Sequence, residues 1–369
     1  MARIDAFLEI GKQQGGSDIH FNVGLPPLVR LDGELTPIPY RELSHEESES
    51  LVSEILNEHQ VEQFNRLGAV DFAYTAEGIG RFRVNACRQR LGISTFCRVV
   101  PDRVPSLEQL GMPRVLSSFC RLSSGLVLVT GATGTGKSTT LAAMIHEVNH
   151  SRSLNIITLE DPVEFVHPSD RSLVIQREVG THVPSFQEGL RSALRQDPDV
   201  ILVGELRDAV SITLALEAAE TGHLVLGTLH TRGAAQTIDR IVDAHPSDNQ
   251  SQVRNSLADN LKAVVSQDLL RVADGRGRRA ALEILVVTLA IQQLIREGKT
   301  FQIPGAITMG KRLGMQLKDQ ALLALVRAGE IDPDEAFLKA EDKWGFAPFV
   351  TRPELLALMT GGAEGGKAA

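Results

Sequence analysis

Gly125-Leu-Val-Leu-Val-Thr130-Gly131-Ala-Thr-Gly-Thr-Gly136-Lys137-Ser138 decides the architecture, because an apolar strand runs straight into a glycine-rich loop that ends in Lys and Ser. A helical pattern follows, from Lys137 to His150. The loop has the spacing of a phosphate-binding loop and stands where that pattern requires, after a strand and before a helix. Its glycines let the backbone curl so that N–H groups and the positive end of the helix face a phosphate. Lys137 adds a charge, and Ser138 supplies a hydroxyl for magnesium. Gly131, Thr133, Gly134, Thr135, Gly136, Lys137, Ser138 and Thr139 are therefore the expected nucleotide-binding residues, with ATP and Mg2+ as ligands. A second stretch, Gly305-Ala-Ile-Thr-Met-Gly310-Lys311, repeats the glycine spacing. Arg312 replaces the hydroxyl there and Pro304 interrupts the preceding segment, so it is rejected as a second site.

Around this loop, apolar strands at Leu126 to Thr130, Asn155 to Leu159, Val200 to Val203 and Leu224 to Thr228 alternate with helical segments such as Ser185 to Arg195. That alternation predicts a largely parallel, helix-covered sheet. After Ala281 the pattern reads as mostly helical. Upstream the grammar differs. An opening helix ends at Gly15-Gly16, strand-like runs follow at Asp18 to Val23 and Pro27 to Leu31, and Ser44 with Glu46 and Glu47 marks a helix start. Further strand-like runs cover Val70 to Tyr74, Arg81 to Cys87 and Ile93 to Val100. The expected organisation is an N-terminal α+β domain at residues 1–100, a proline-bounded linker at 101–107, an α/β ATPase domain with C-terminal helices at 108–360, and a disordered small-residue tail at 361–369.

Two further strands end in carboxylates. Asn155 to Glu164 carries Glu160, Asp161 and Glu164, with Pro162 forcing a turn at the strand's C-terminal edge, the edge that faces ligand in a parallel sheet. One of these three is expected to orient or deprotonate an attacking water. Pro198 to Glu205 has the shape of a Walker B segment, with Glu205 steadying magnesium alongside Ser138. His223 and His230 bracket a strand at an odd separation, which puts them on opposite faces and makes them poor partners in one metal site. His230, flanked by Thr228 and Thr231, falls at the ligand edge as a γ-phosphate sensor, with an ordinary structural histidine the alternative. Arg81, Arg83, Arg88, Arg90 and Arg98 form a basic cluster in the first domain. Surface solubility accounts for most arginines, yet such a cluster can bring charge to a γ-phosphate, within the chain or across a subunit boundary.

Composition narrows the class. Across 369 residues, 38 Lys and Arg face 46 Asp and Glu, for a net charge of -8, so no cationic excess suits a nucleic-acid backbone. No apolar run approaches the ~20 residues of a bilayer crossing, and the start has no secretory pattern, which together give a cytoplasmic expectation. Cys87, Cys97 and Cys120 are scattered, with no CxxC pair.

Taken together, GATGTGKSTTLAAMI, NIITLEDPVEFVH, RSALRQDPDVILVGELRD and ETGHLVLGTLHT resemble the secretion ATPases of type IV pili and type II secretion. SDIHFNVGLPPLVRLDGEL, GRFRVNACRQR, AIQQLIREGKT and GMQLKDQALLALVRAGEI resemble, within that superfamily, the pilus retraction ATPases, the PilT and PilU group. The resemblance spans all but the Gly/Ala tail. It implies a PAS-like N-terminal domain, a RecA-like ATPase domain and a homohexameric motor that powers pilus retraction in twitching motility through nucleotide-dependent domain movement. The motor would lie peripherally at the inner face of the inner membrane against a PilC-like platform protein, with a paralogous retraction ATPase as a further implied partner. It also implies Glu164 as the water-positioning carboxylate, Glu205 at magnesium, His230 near the γ-phosphate, and Arg83 and Arg98 as the arginines of interest. Extension and type II secretion ATPases usually carry a tetracysteine insertion after the His segment; no cysteine follows Cys120 here, which favours retraction. AIQQLIRE and DGRGRRAALEIL depart from the usual PilT wording toward PilU, so the alternative is a PilU-like accessory subunit with little turnover of its own.

Overall fold

The computed structural model describes residues 2–31, 33–101, 103–273, 275 and 277–356. The expected tail at 361–369 lies outside the described residues. The chain forms two compact units: the first runs to Arg103 and takes in Pro162–Val166, and the second holds Val104–Asp161 and continues from His167.

The first unit comprises α1 (Arg3–Gln13), β1 (Asp18–Asn22), β2 (Leu28–Leu31), β3 (Glu34–Pro37), α2 (His45–Ser53), α3 (Glu58–Leu67), β4 (Ala69–Ala76), β5 (Gly80–Gln89) and β6 (Gly92–Val99). Its helix starts are written locally. The Ser44 side chain accepts from the Glu47 N–H, and Asn57 and Gln60 cap α3 reciprocally. The sheet is antiparallel throughout, in the order β3-β2-β1-β6-β5-β4. Alternation governs its faces: in β5, Phe82, Val84 and Ala86 are buried while Arg81 and Arg83 turn the other way. Ile4, Leu8, Phe21, Leu51, Val52 and Phe64 join that buried row to form the unit's core.

The second unit adds α4 (Val115–Phe119), β7 (Gly125–Thr130), α5 (Lys137–Ser151), β8 (Asn155–Glu160), β9 (Leu173–Glu178), α6 (Phe186–Ala193), β10 (Val200–Val203), α7 (Ala209–Glu220), β11 (Leu224–Leu229), α8 (Ala234–Asp243), α9 (Gln250–Asn260), β12 (Leu261–Arg271), β13 (Arg278–Val286), α10 (Leu289–Arg296), α11 (Ile303–Met309), α12 (Lys318–Arg327) and α13 (Pro333–Lys339). Among the described residues its seven strands run in the order β13-β12-β7-β11-β10-β8-β9, all parallel except the antiparallel edge strand β13. Every residue of β7, β10 and β11 is buried. Successive residues feed two cores: Leu126 and Leu128 pack with α6 to α9, Val127 and Val129 with α4 and α5. At roughly 1.5–3 kcal/mol for each large apolar side chain, this two-sided burial is the main stabilising term of the unit.

The structure corrects the expectation of helix from Ala281 onward. Residues to Val286 belong to β13, hairpin-paired with β12 in register Ser266 to Glu283 and Gln267 to Leu282. Helices follow only from Leu289. Gly305 lies within α11, so the rejected second glycine stretch is helix and makes no phosphate loop.

Candidate nucleotide site

The loop between β7 and α5 has the backbone its glycines were expected to permit. Gly131, Gly134 and Gly136 adopt φ of 144°, 80° and 86°, conformations costly for any residue with a Cβ. Space is a second constraint. A Cβ at Gly136 would stand 2.9 Å from the Gln267 amide nitrogen, and one at Gly131 would press into the Gln267 backbone oxygen. Gly136 is the N-cap of α5, whose first-turn N–H groups have no partner within the helix and are set to receive an anion. The Lys137 ammonium is buried against the loop and donates to the carbonyls of Gly131 and Ala132, both at 2.9 Å. Thr133, Gly134 and Ser138 are exposed, and Thr139 is half-buried at the start of the helix.

Glu205 is delivered by β10. The Gly204 N–H donates to Leu159 of β8 at 2.7 Å, Thr228 of β11 donates its hydroxyl to the Gly204 carbonyl, and the Leu206 N–H donates to Thr228 at 2.9 Å. The strand end is thus held from both neighbours, which aims Glu205 at the C-terminal edge. There its carboxylate meets Arg207 at 2.8 Å and His230 at 3.3 Å. Burial pushes the Glu205 carboxyl upward, but the hydrogen bond and charge of Arg207, followed by His230, outweigh it and hold the group below its ordinary range. Glu205 is therefore ionised at neutral pH. A carboxylate with hard oxygen donors, and the exposed hydroxyl of Ser138, suit Mg2+ in chemistry, since that ion prefers oxygen ligands and keeps several waters. His230 is exposed just past β11, while His223 sits at the other end of that strand, bonded to the Ala218 carbonyl at 2.8 Å.

The remaining expected residues belong to the first unit. Arg83 and Arg98 are direct cross-strand partners on β5 and β6, and Asp18 of β1 is the next partner of Arg98. Like charges opposite each other repel, and each arginine here has its own carboxylate. Arg98 binds Asp18 at 2.9 Å, and Arg83 lies 3.7 Å from Glu164 of the Pro162–Val166 segment. Arg88 takes a separate role, stacked over Phe64 at 5.3 Å and donating to Asn65. Of the other carboxylates in that stretch, Glu160 ends β8 and accepts from Thr158 at 2.7 Å and Gln176 at 3.1 Å.

Several contributors lacked a sequence signal. Arg207, two residues beyond Glu205, carries no motif of its own. Gln267 of β12 and Thr140 of α5 bond to each other beneath the phosphate loop, and Ser266 of β12 and Glu283 of β13 hold the backbone at Gly233 and Ala234; of these only Glu283 lies in the stretch whose pattern suggests helix. Contacts of this kind depend on strand pairing, which a linear spacing does not reveal.

The model of the Type II/IV secretion system protein family matches residues 68–296. The chain belongs to that family. It is 47% identical to the type IV pilus retraction ATPase PilT of Pseudomonas aeruginosa, over 92% of this chain and 98% of that protein. It is 40% identical to the type IV pilus ATPase PilU of the same organism, over 91% of this chain and 88% of that protein. Among solved structures, the pilus retraction motor PilT with bound ADP superposes with a TM-score of 0.86 at 41% identity, covering 94% of this chain and 98% of that one. This secretion-family member is accordingly a P-loop ATPase with the fold of those motors, and it binds nucleotide. Among the described residues, no helix of the family member is long and apolar enough to cross a membrane.

Proposed function

We propose that the chain is the subunit of a homohexameric ATP-hydrolysing motor that drives type IV pilus retraction. The observation that carries this reading is the phosphate loop of β7 and α5 together with an ionised Glu205 at the same sheet edge, in a chain 47% identical to a retraction ATPase along nearly its whole length. Residues Gly131 to Thr139 would receive the phosphates through backbone N–H groups, with Lys137 exchanging its loop carbonyls for phosphate oxygens. Ser138 and Glu205 are the residues that would hold Mg2+. When bound, that ion neutralises charge on the transferred phosphate. Glu164 is assigned to orienting water, and His230 to registering the γ-phosphate. Arg83 and Arg98 supply positive charge, each now neutralised by a carboxylate it would have to trade. The motor works peripherally at the inner face of the inner membrane against a platform protein.

Glu164→Gln tests the assignment. Turnover should fall by about 10²–10⁴-fold with ADP binding kept, because the change removes a base without touching the phosphate loop. An unchanged rate would remove Glu164 from the mechanism. Wild-type hexamers with no turnover would point instead to an accessory ring subunit.

A further inference from the structure

Gln267 lies on β12, away from every motif of the nucleotide site, yet it is buried and both ends of its amide are engaged. Its Nε2 donates to the Thr135 carbonyl at 2.6 Å, inside the phosphate loop. Its Oε1 accepts from the Thr140 hydroxyl at 2.8 Å, one turn into α5. Thr140 is itself fully buried, so this amide is gripped at a fixed point on the helix while it holds a fixed point on the loop. The same residue limits the loop from outside: its backbone oxygen faces Gly131 and its amide nitrogen faces Gly136 too closely for a Cβ at either position. Gln267 thus packs close against the loop's entry at Gly131 and is hydrogen-bonded to its exit at Thr135.

We propose that Gln267 is a positioning residue that sets the phosphate loop in its anion-receiving curl, acting through Thr135 and anchored by Thr140. The inference rests on the reading that residues 131–138 hold the nucleotide phosphates. A loop of glycines and small residues loses much backbone freedom on being fixed, and a clamp that fixes it beforehand removes that cost from nucleotide binding. The carbonyl of Thr135 matters in particular. Its bond to Gln267 fixes the peptide that leads into Gly136, the N-cap of α5 whose first-turn N–H groups face the phosphate position. The adjacent Ser266 projects from the opposite face of the strand and accepts from the Gly233 N–H at 2.9 Å, so β12 also steadies the turn that follows His230.

The test is titration of the full-length protein and its variants with a fluorescent ADP, reading dissociation constant and binding stoichiometry separately. Gln267→Met keeps length and apolar bulk and removes both hydrogen bonds; it should weaken ADP binding by about tenfold with the number of sites per chain unchanged. Thr140→Val frees only the far end of the amide and should weaken binding by about threefold. A general folding defect would instead lower the stoichiometry and leave the constant of the remaining sites intact. ADP affinity within twofold of wild type in Gln267→Met overturns the proposal, and if that variant does not fold, unchanged affinity in Thr140→Val overturns it. Lys137→Ala is measured beside them: loss of binding there together with a normal Gln267→Met rejects the clamp alone, whereas full binding by Lys137→Ala rejects the phosphate-loop reading and the clamp with it.

Discussion

The two sheets of this chain use their strands differently. In the first unit, β5 alternates: Phe82, Val84 and Ala86 are buried, and Arg81 and Arg83 occupy the other face. In the second, β7, β10 and β11 are buried at every residue. A sheet packed on one face can carry chemistry along its length, and Asp18, Arg98 and Arg83 form such a row across three strands. A sheet packed on both faces has room for chemistry only where strands end. The assigned residues Lys137, Glu205 and His230 accordingly come from a helix start and from just past two strand ends, and the interior residue proposed to set the loop, Gln267, works through hydrogen bonds inside the core.

This contrast fixes where substitutions should hurt and how. The largest effect is expected at Glu164, where the change to Gln lowers turnover by about 10²–10⁴-fold with little loss of folding stability, because the residue is only half-buried and its 3.7 Å pairing with Arg83 is worth little to the fold. Turnover and urea unfolding measured on the same sample check both halves. Next come adjacent strand positions. Val127→Ala and Leu128→Ala should each cost about 2–4 kcal/mol in urea unfolding, since both residues are fully buried in different cores. On β5 the neighbours should split, with Val84→Ala costly and Arg83→Ala within about 1 kcal/mol of wild type. Equal losses at Arg83 and Val84 would break the comparison.

Acid sensitivity sharpens it. His167 of the second unit is buried, and burial, with the charge of His146 behind it, lowers its pKa to about 4. A histidine kept neutral in the fold binds its proton more readily in the unfolded chain, so the stability it contributes is full above an ordinary pKa of about 6.5 and is lost as pH falls toward 4. Up to about 3 kcal/mol should disappear over that interval, and His167→Gln should flatten the curve. His20, on the half-open face of the first sheet, is also lowered by burial and then by Arg30, but Asp18 opposes the shift, so His20→Gln should alter the pH profile less. The smallest difference expected is between the arginines. Arg98 is held at 2.9 Å by Asp18 and Arg83 more loosely at 3.7 Å by Glu164, so Arg83→Ala should reduce turnover by about 10²-fold and Arg98→Ala by about tenfold.

Much of this was legible in the chain itself. The strand, glycine loop and helix from Gly125 to His150 identify both the parallel sheet and the phosphate loop, because the chemistry is local. The helix start at Ser44 and the face shared by Arg81 and Arg83 are likewise local and periodic. What stayed hidden depends on pairing between distant segments. Residues Arg278–Val286 contain Ala, Leu and Glu, all good helix formers, and become a strand only because β12 offers a ladder beside β7. Gln267 is one glutamine in a mixed strand, and its meaning comes from Thr135 and Thr140, well over a hundred residues away. The cross-strand opposition of Arg83 and Arg98 is likewise a matter of register, so the cluster was visible as composition and its partners, Asp18 and Glu164, were not.

The most direct test of the central claim is steady-state ATP turnover of the purified protein with its mass determined by light scattering in the same buffer, beside Lys137→Ala. The account predicts a hexamer that hydrolyses ATP and a Lys137→Ala ring of the same mass without turnover. Turnover that survives in Lys137→Ala, or hydrolysis by a monomer as fast as by any ring, would contradict it.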